Sequence, residues 1–289
     1  MNQNKVVSAV LLVWAVTSFS SCAEPQGTPL LDAAPRENIR LEYNNRMLSV
    51  THPLLGAEPL KIDCMEAYCK KGSTHRRWEE TIIPQQNEVV SKTPHEIKVR
   101  TSLASGVDVM HRFAVVADEI LFEATFTNLT EKFVDVEWMQ PCMRIGQFTG
   151  LGQNEYIRKC FIFTEKGLTL LNKTNRTEEA IYRGGQVYVP AGINRDDVNP
   201  RPLSPDVPIN KLIGCLSVDE KALLATAWTD VQELFQGVII CIHADPRIGG
   251  LAPRQTKKIW GKLYIIPNDV DELLRRYRRD FDGARPKRF

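Results

Sequence analysis

Residues 96–128 decide the fold and read EIKVRTSLASGVDVMHRFAVVADEILFEATFTN. Between positions 97 and 103, apolar and polar residues alternate, which is the two-residue period of a strand with one buried face. Val107–Val116 and 119–127 are rich in strand-forming residues, and a turn-like Ala-Asp pair separates them. This stretch therefore predicts consecutive antiparallel strands joined by tight turns.

Similar segments extend the pattern toward both ends of the chain. Residues 39–43 and 47–50 flank Asn44-Asn45-Arg46, a combination typical of a β-hairpin. Further strands are predicted at 133–139, 161–163, 168–171, 187–189, 223–228, 238–242 and 259–266. Residues 192–210 contain four prolines among Asn and Asp, which predicts a long loop able to contribute to a site.

One helix is predicted near the C-terminus. Asp269 and Glu272 have the spacing of a capping box. An apolar stripe follows at helical spacing, formed by Val270, Leu273, Leu274, Tyr277 and Phe281. We expect the stripe to pack on the sheets and the arginines of the helix to face water.

The predicted fold class is all-β, a large antiparallel β-sandwich with one C-terminal α-helix. The chain has 289 residues, of which 43% are hydrophobic and 25% charged, and this composition excludes a disordered protein. Residues 37–282 are predicted to form a single sandwich domain. Residues 24–36 are interpreted as a linker and 283–289 as a basic tail.

Residues 1–23 have the pattern of an export signal. The nearly uncharged apolar run at 6–19 is shorter than the about 20 residues that a membrane span needs. Two processing outcomes are open: cleavage after Ala23, or a lipoprotein signal in which Cys22 becomes a lipid anchor. Either outcome predicts a location in the periplasm, in the cell envelope or outside the cell.

Six cysteines follow the export segment. Export makes disulfides possible, but the sequence does not choose among the pairings of Cys64, Cys69, Cys142, Cys160, Cys215 and Cys241. Cys64 and Cys69 flank a polar, turn-like stretch, and the other four are equally typical of buried thiols. Because no C-x-x-C pair is present, no metal site is predicted. The sequence also has no P-loop and no dinucleotide fingerprint, so no cofactor is predicted.

Two short pieces resemble the galactose-mutarotase-like β-supersandwich superfamily. Residues 118–128 resemble its strand that ends in a Thr-Asn turn. Residues 250–256 resemble its L-x-P-G-E-T turn, with Arg254-Gln255 in place of Gly-Glu. The chain as a whole looks most like a secreted bacterial family of this fold. The superfamily includes sugar epimerases, which use a His acid and a Glu base, and sandwich domains of polysaccharide lyases and hydrolases, so the resemblance implies a carbohydrate context.

The first candidate site is the segment from His243 to Arg247. On an extended chain His243 and Asp245 point the same way, so they could form an acid–base pair or supply two metal ligands. Glu233 offers a carboxylate that could face the same cleft. The alternatives are a histidine at a strand end followed by an Asx turn, and a solvated loop around Glu233.

The second candidate is the run that contains Trp138, Gln140 and Arg144 on one strand face. An aromatic plate and planar polar groups suit a sugar, although packing of Trp138 in the core is the alternative.

The third candidate consists of two runs in which arginines lie beside aromatic residues: His75-Arg76-Arg77-Trp78 and Tyr182-Arg183. These runs suit a sugar that carries a carboxylate, and surface ion pairing with Glu79 and Glu80 is the alternative.

These features predict a secreted or lipid-anchored carbohydrate-binding protein that acts on a sugar or a uronate if it is an enzyme. The alternative is a non-catalytic scaffold of the cell envelope. Nucleic acid is not an expected partner, because the formal net charge is only +2. A membrane is expected as a partner only through a lipid at Cys22.

Overall fold

The computed structural model describes residues 38–282. The predicted export segment 1–23, the linker 24–36 and the basic tail 283–289 lie outside the described residues. In the part that is described, no helix has both the length and the apolar character needed to cross a bilayer.

The described chain contains sixteen strands. They are β1 (Arg40–Asn44), β2 (Met47–Thr51), β3 (Leu60–Cys69), β4 (Gln85–Lys92), β5 (Glu96–Leu103), β6 (Val107–Val116), β7 (Glu119–Asn128), β8 (Trp138–Arg144), β9 (Cys160–Thr164), β10 (Gly167–Leu170), β11 (Gln186–Tyr188), β12 (Ile213–Leu216), β13 (Ala222–Trp228), β14 (Val231–Gln236), β15 (Cys241–Pro246) and β16 (Thr256–Pro267).

Short helices lie between some of these strands and after the last one. They are α1 (Trp78–Thr81), α2 (Gly146–Thr149), α3 (Glu178–Arg183) and α4 (Val270–Tyr277), and a π-turn at Arg278–Asp282 follows α4. Single 3₁₀ turns lie at Pro53–Leu55, Ser73–His75, Tyr156–Arg158 and Leu171–Lys173.

The strands form two antiparallel sheets. The seven-stranded sheet has the order β1-β2-β3-β8-β15-β14-β11, and the nine-stranded sheet has the order β10-β9-β12-β13-β16-β7-β6-β5-β4. Apolar side chains from both sheets share one core, in which Phe122 stacks on Trp228 with ring centres 5.8 Å apart. The predicted all-β sandwich with a C-terminal helix is therefore confirmed.

The meander that suggested the fold is present. The strands β5, β6 and β7 pair in sequence order, and β16 continues the sheet on the far side of β7. The predicted hairpin at the start also forms, with Asn45 and Arg46 in its turn. Both turn residues have positive φ angles of 47° and 68°, as a tight two-residue hairpin requires.

Several strand predictions were wrong in position. The strand expected at 133–139 begins only at Trp138, and the one expected at 238–242 begins at Cys241. β3, β4, β12 and β14 were missed. Cys64 and Cys69 do not flank a turn, because both lie within β3. All six cysteines of the described part are buried and free.

The C-terminal helix α4 begins where predicted, with the Asp269 carboxylate accepting a hydrogen bond of 2.9 Å from the Glu272 amide. Its apolar stripe joins a second core cluster around Leu273 and Tyr277. The expectation that its arginines face water was wrong for Arg276, whose guanidinium donates to the Glu119 carboxylate at 3.1 Å.

Arg279, in the π-turn, also donates to Glu119, at 2.7 Å. Glu119 is 3% exposed and binds Lys262 at 2.6 Å as well. The Glu119 carboxylate thus contacts three cationic side chains where the helix meets the nine-stranded sheet. Sequence periodicity did not reveal this network because its partners lie more than 140 residues apart in the chain.

Candidate functional site

Polar side chains lie on the face of the seven-stranded sheet that points away from the core. On β15, Ile242 and Ala244 belong to the core. Because successive side chains of a strand point to opposite faces, Cys241, His243 and Asp245 lie together on the other face. The strand is fully buried along its length, so loops cover this face locally.

The neighbouring strand β8 repeats the pattern. Met139 and Met143 belong to the core, and the alternation places Gln140, Cys142 and Arg144 on the same face as the β15 residues. β8 and β15 pair directly in the middle of the sheet. The site is therefore built on the two central strands.

A line of three side chains runs along β15. The Cys241 sulfur lies 3.1 Å from Nε2 of His243, and Nδ1 of His243 lies 3.6 Å from Oδ1 of Asp245. The Phe235 ring packs edge-on against the imidazole with ring centres 5.1 Å apart. Cys142 completes the group, since its sulfur, the Cys241 sulfur and a His243 nitrogen all lie within 4.8 Å of one another.

Asp245 is the least satisfied residue of this group. Its side chain is completely buried, and neither carboxylate oxygen has a hydrogen-bond partner among the described residues; the same holds for Nδ1 of His243. Burying a polar group without a hydrogen bond is unfavourable by several kcal/mol, roughly 2–7. Such a group points to a function that the fold alone does not explain.

Glu233 lies across from Asp245 on β14, in register with it. The Glu233 side chain is completely buried, and its two oxygens accept hydrogen bonds of 3.0 and 3.2 Å from the backbone amide of Asn199. Asn199 belongs to the long loop that the prolines predicted. This contact ties the loop to the sheet directly beside the site.

The titration behaviour follows from burial and neighbouring charge. The pKa of Cys241 is lowered well below its ordinary value, chiefly by a hydrogen bond with Cys142 and also by the charge of His243. Burial alone would lower the pKa of His243, but the charges of Cys241 and Asp245 raise it overall. Burial raises the pKa of Asp245 to about 6 and that of Glu233 well above its ordinary range.

A cleft of about 160 Å³ opens onto these residues. Cys241 and His243 form its floor, and the rest of its lining comes from Glu66, Trp78, Gln140, Asn199, Arg201, Phe235, Val238 and Ile239. This volume exceeds the space that one water molecule requires, about 10–15 Å³ on the same measure. The cleft can therefore hold a small ligand.

Hydrogen bonds connect the polar side chains along one wall. The Trp78 indole donates to Oε1 of Gln140 at 3.0 Å, and the Gln140 amide donates to Oε2 of Glu66 at 3.0 Å. Arg144 donates to the other Glu66 oxygen at 3.4 Å. Burial raises the pKa of Glu66, and the charges of His243 and Arg144 oppose that rise.

Comparison with known proteins gives structural neighbours alone. No protein-family model matches the sequence. No curated protein matches it either. Among solved structures, a galactose mutarotase-like protein from Lactobacillus casei has a TM-score of 0.42 at 10% identity, with 78% of this chain and 99% of that chain covered.

Two proteins from Lactobacillus acidophilus give similar values. A galactose mutarotase related enzyme has a TM-score of 0.41 at 8% identity, covering 78% of this chain and 97% of that one. A galactose 1-epimerase has a TM-score of 0.37 at 8% identity, covering 82% and 97%. The neighbours are of the kind that the sequence resemblance predicted, and at this similarity they say nothing about what this chain binds.

The structure brings some of the predicted site residues together. His243 and Asp245 are side by side, Glu233 faces Asp245, and Gln140 lines the cleft that His243 floors. Arg144 borders the same cleft through its bond to Glu66. Glu233 lies in a strand and not in the solvated loop that was its alternative interpretation.

Other predicted residues lie elsewhere. Trp138 is completely buried, with its indole donating to Ser73 at 2.9 Å, so it presents no ring to a ligand. His75 is exposed in a 3₁₀ turn and does not line the cleft. Arg247 donates to Gln232 at 2.9 Å and pairs with Glu137, beside a separate groove. The side chain of Arg183 lies outside the described part.

Several site residues were missed from the sequence. Cys241 belongs to the same two-residue alternation as His243 and Asp245, and that signal was visible in the sequence. Trp78, which ends the candidate run that begins at His75, takes the aromatic position that was assigned to Trp138. Glu66 gave no signal, because its contacts with β8 follow from an irregular register in β3 between Asp63 and Ala67.

Proposed function

We propose that the cleft binds a sugar ring and that the protein acts on a carbohydrate that carries a carboxylate, such as a uronate. The supporting observation is the composition of the cleft wall. Trp78 supplies an aromatic surface for the C–H groups of a ring, and Gln140 and Glu66 supply planar polar groups for its hydroxyls. Arg144 and Arg201 add positive charge for a carboxylate.

Glu66 is the group best placed to exchange a proton with the ligand. Its side chain is 20% exposed, whereas the carboxylates of Asp245 and Glu233 are completely buried. Burial raises its pKa above the ordinary value of a glutamate, which is the direction that favours general acid–base catalysis. Glu66 is therefore the catalytic residue of this proposal, with Gln140 and Arg144 holding its orientation.

We further propose that the protein is exported, as the pattern of residues 1–23 indicates. Intact-mass measurement of the protein from a bacterial host tests this. A chain that begins at Glu24, or at a lipid-modified Cys22, supports export. A folded protein that keeps Met1 contradicts it.

Titration calorimetry against neutral sugars and uronates, as monomers and short oligomers, tests the ligand class. Trp78→Leu removes the aromatic wall, and Trp260→Leu on the nine-stranded sheet is its matched control. Arg144→Gln removes a cleft cation, and Arg100→Gln, whose partner is Asp108 on β6, is the second control. We expect the two cleft variants to weaken uronate binding at least tenfold and the two controls to leave it unchanged.

Proton exchange by Glu66 has its own readout. Proton NMR of the bound sugar, followed with time, detects anomer exchange or loss of a ring proton. We expect Glu66→Gln to abolish this change while binding persists. Absence of heat with every sugar tested would remove the carbohydrate proposal and favour the scaffold alternative.

A further inference from the structure

Cys142, Cys241 and His243 bring three potential metal-ligand atoms together, separately from the cleft-wall residues to which the sugar proposal assigns roles. Their three ligand atoms lie within 4.8 Å of one another, and all three residues are buried. Two cysteine sulfurs and one imidazole nitrogen are the donors that zinc and related ions prefer in proteins. Two central strands hold the donors, so the set is preformed by the sheet.

The separations fit a metal ion. A tetrahedral ion with bonds of about 2.3 Å to sulfur and about 2.0 Å to nitrogen holds those two atoms about 3.5 Å apart. The Cys241 sulfur and Nε2 of His243 lie 3.1 Å apart. An adjustment of a few tenths of an ångström in the side-chain torsions is enough to admit the ion.

Asp245 supplies the second observation. A histidine that binds a metal through one nitrogen usually donates its other N–H to a carboxylate, which fixes the ring orientation. Nδ1 of His243 lies 3.6 Å from Oδ1 of Asp245, and neither atom has another hydrogen-bond partner among residues 38–282. With Nδ1 directed at Asp245, Nε2 is the nitrogen left for the ion. This arrangement accounts for a buried carboxylate that the fold otherwise leaves unexplained.

Two of the three donor residues, Cys241 and His243, line the cleft. Cys142, on the adjacent strand β8, is not part of its lining. Structural zinc sites in proteins have four protein ligands, whereas catalytic sites have three and keep one position open. We propose that Cys142, Cys241 and His243 bind one zinc-type divalent ion whose open position is directed into the cleft, with Asp245 as the positioning residue for His243.

The proposal does not depend on the sugar, so it is tested on the full chain without any ligand. The protein is reduced with a phosphine, freed of metal with a chelator and titrated with Co²⁺. We expect one Co²⁺ per chain, with intense near-ultraviolet absorption from sulfur–cobalt charge transfer and visible bands typical of a tetrahedral ion. Added Zn²⁺ should remove both signals.

Variants identify the ligands. Cys142→Ala, Cys241→Ala and His243→Ala should each weaken Co²⁺ binding at least 100-fold, and Asp245→Asn should weaken it about 10- to 100-fold. Cys215→Ala is the matched control, because Cys215 is equally buried but lies on the nine-stranded sheet beside Cys160. It should bind as the unmodified protein does.

Two outcomes would overturn the metal site. The first is a reduced, folded protein whose absorption stays unchanged at millimolar Co²⁺. The second is charge-transfer absorption that persists in Cys241→Ala or disappears in Cys215→Ala. The unmodified protein already decides the first outcome, so poor folding of a variant does not leave the proposal open. Failure of sugar binding in calorimetry would leave these spectra unaffected, which separates the two proposals.

Discussion

Glu233 and Asp245 stand opposite each other in register on neighbouring strands, and both carboxyl groups are completely buried. Two carboxyl groups that are buried on neighbouring, paired residues do not both ionise readily. Burial and the charge of Asp245 hold the pKa of Glu233 well above its ordinary value. Retention of one proton within the pair is therefore favoured over ionisation of both carboxyl groups.

Replacement of Glu233 by glutamine should stabilise the protein as the pH rises. A carboxyl group whose folded-state pKa is raised binds more protons in the folded state, so its contribution to stability falls above the unfolded pKa of 4.5. Glutamine removes this penalty and keeps an oxygen for the Asn199 amide. The melting temperature of Glu233→Gln relative to the unmodified protein should increase between pH 5 and pH 8.

Glu123→Gln is the control of opposite sign. Burial would raise the pKa of Glu123, but hydrogen bonds from Lys258 and Arg112 lower it overall. A lowered pKa contributes stability above the unfolded pKa, so this variant should lose stability at pH 8 relative to pH 4. If the stability of both variants relative to the unmodified protein changes with pH in the same direction, the pKa directions given for Glu233 and Glu123 are contradicted.

His111 should make the protein sensitive to acid. Burial lowers the pKa of this side chain from 6.5 to about 3. Because the unfolded chain takes up a proton below pH 6.5 and the folded chain does not, stability should fall by about 2 kcal/mol between pH 6.5 and pH 5. Denaturant unfolding across this range measures the slope.

His111→Gln should reduce the change in the free energy of unfolding between pH 6.5 and pH 5. The Tyr68 hydroxyl lies 2.5 Å from Nε2 of His111, and glutamine retains an atom for that hydrogen bond. His75→Gln, at an exposed position, should reproduce the profile of the unmodified protein. If the free energy of unfolding falls equally with pH in His111→Gln and in the unmodified protein, other groups dominate the acid sensitivity.

Loss of Glu119 should destabilise the junction of α4 and the nine-stranded sheet. The carboxylate binds Lys262, Arg276 and Arg279, and Lys262 is 5% exposed. Removing one partner of a buried ion pair leaves an uncompensated charge and costs about 3–5 kcal/mol. Urea unfolding should show a loss of this size for Glu119→Gln.

The matched control is Glu131→Gln, whose carboxylate pairs with Arg254 at the surface. Exposed pairs contribute about 0–1 kcal/mol, so this variant should unfold at nearly the same urea concentration as the unmodified protein. Equal losses for Glu119→Gln and Glu131→Gln would rule out a structural role for the buried network.

The absence of a side chain at Gly237 lets the chain pass close to Cys241 and His243. A methyl group on its Cα would meet the Cys241 sulfur well inside van der Waals contact and lie 3.3 Å from Nε2 of His243. We expect Gly237→Ala to fold but to lose most Co²⁺ affinity, because the Cys241 side chain must move. Gly152→Ala, where an added methyl group meets open space, should retain full affinity in the same titration.

The sequence predicted the features that depend on local alternation. The meander β5–β7, the capped helix α4 and the shared face of His243 and Asp245 all follow from periods of two or 3.6 residues. The residues of the cleft wall do not follow from these periods. Glu66 reaches the cleft through the pairing of β3 with β8, and Trp78 reaches it from the short helix α1. Trp138 was assigned to the correct strand face, but whether a face is covered depends on distant loops.

Three of the four members of the Cys142–Cys241–His243–Asp245 group come from one five-residue stretch of β15, two positions apart. Each step along a strand reverses the sheet face to which the side chain points. A single residue inserted between Cys241 and Asp245 would therefore turn part of the group toward the apolar core. The spacing C-x-H-x-D, with a further cysteine on the adjacent strand, is therefore the local pattern that places these four side chains on one face of the sheet.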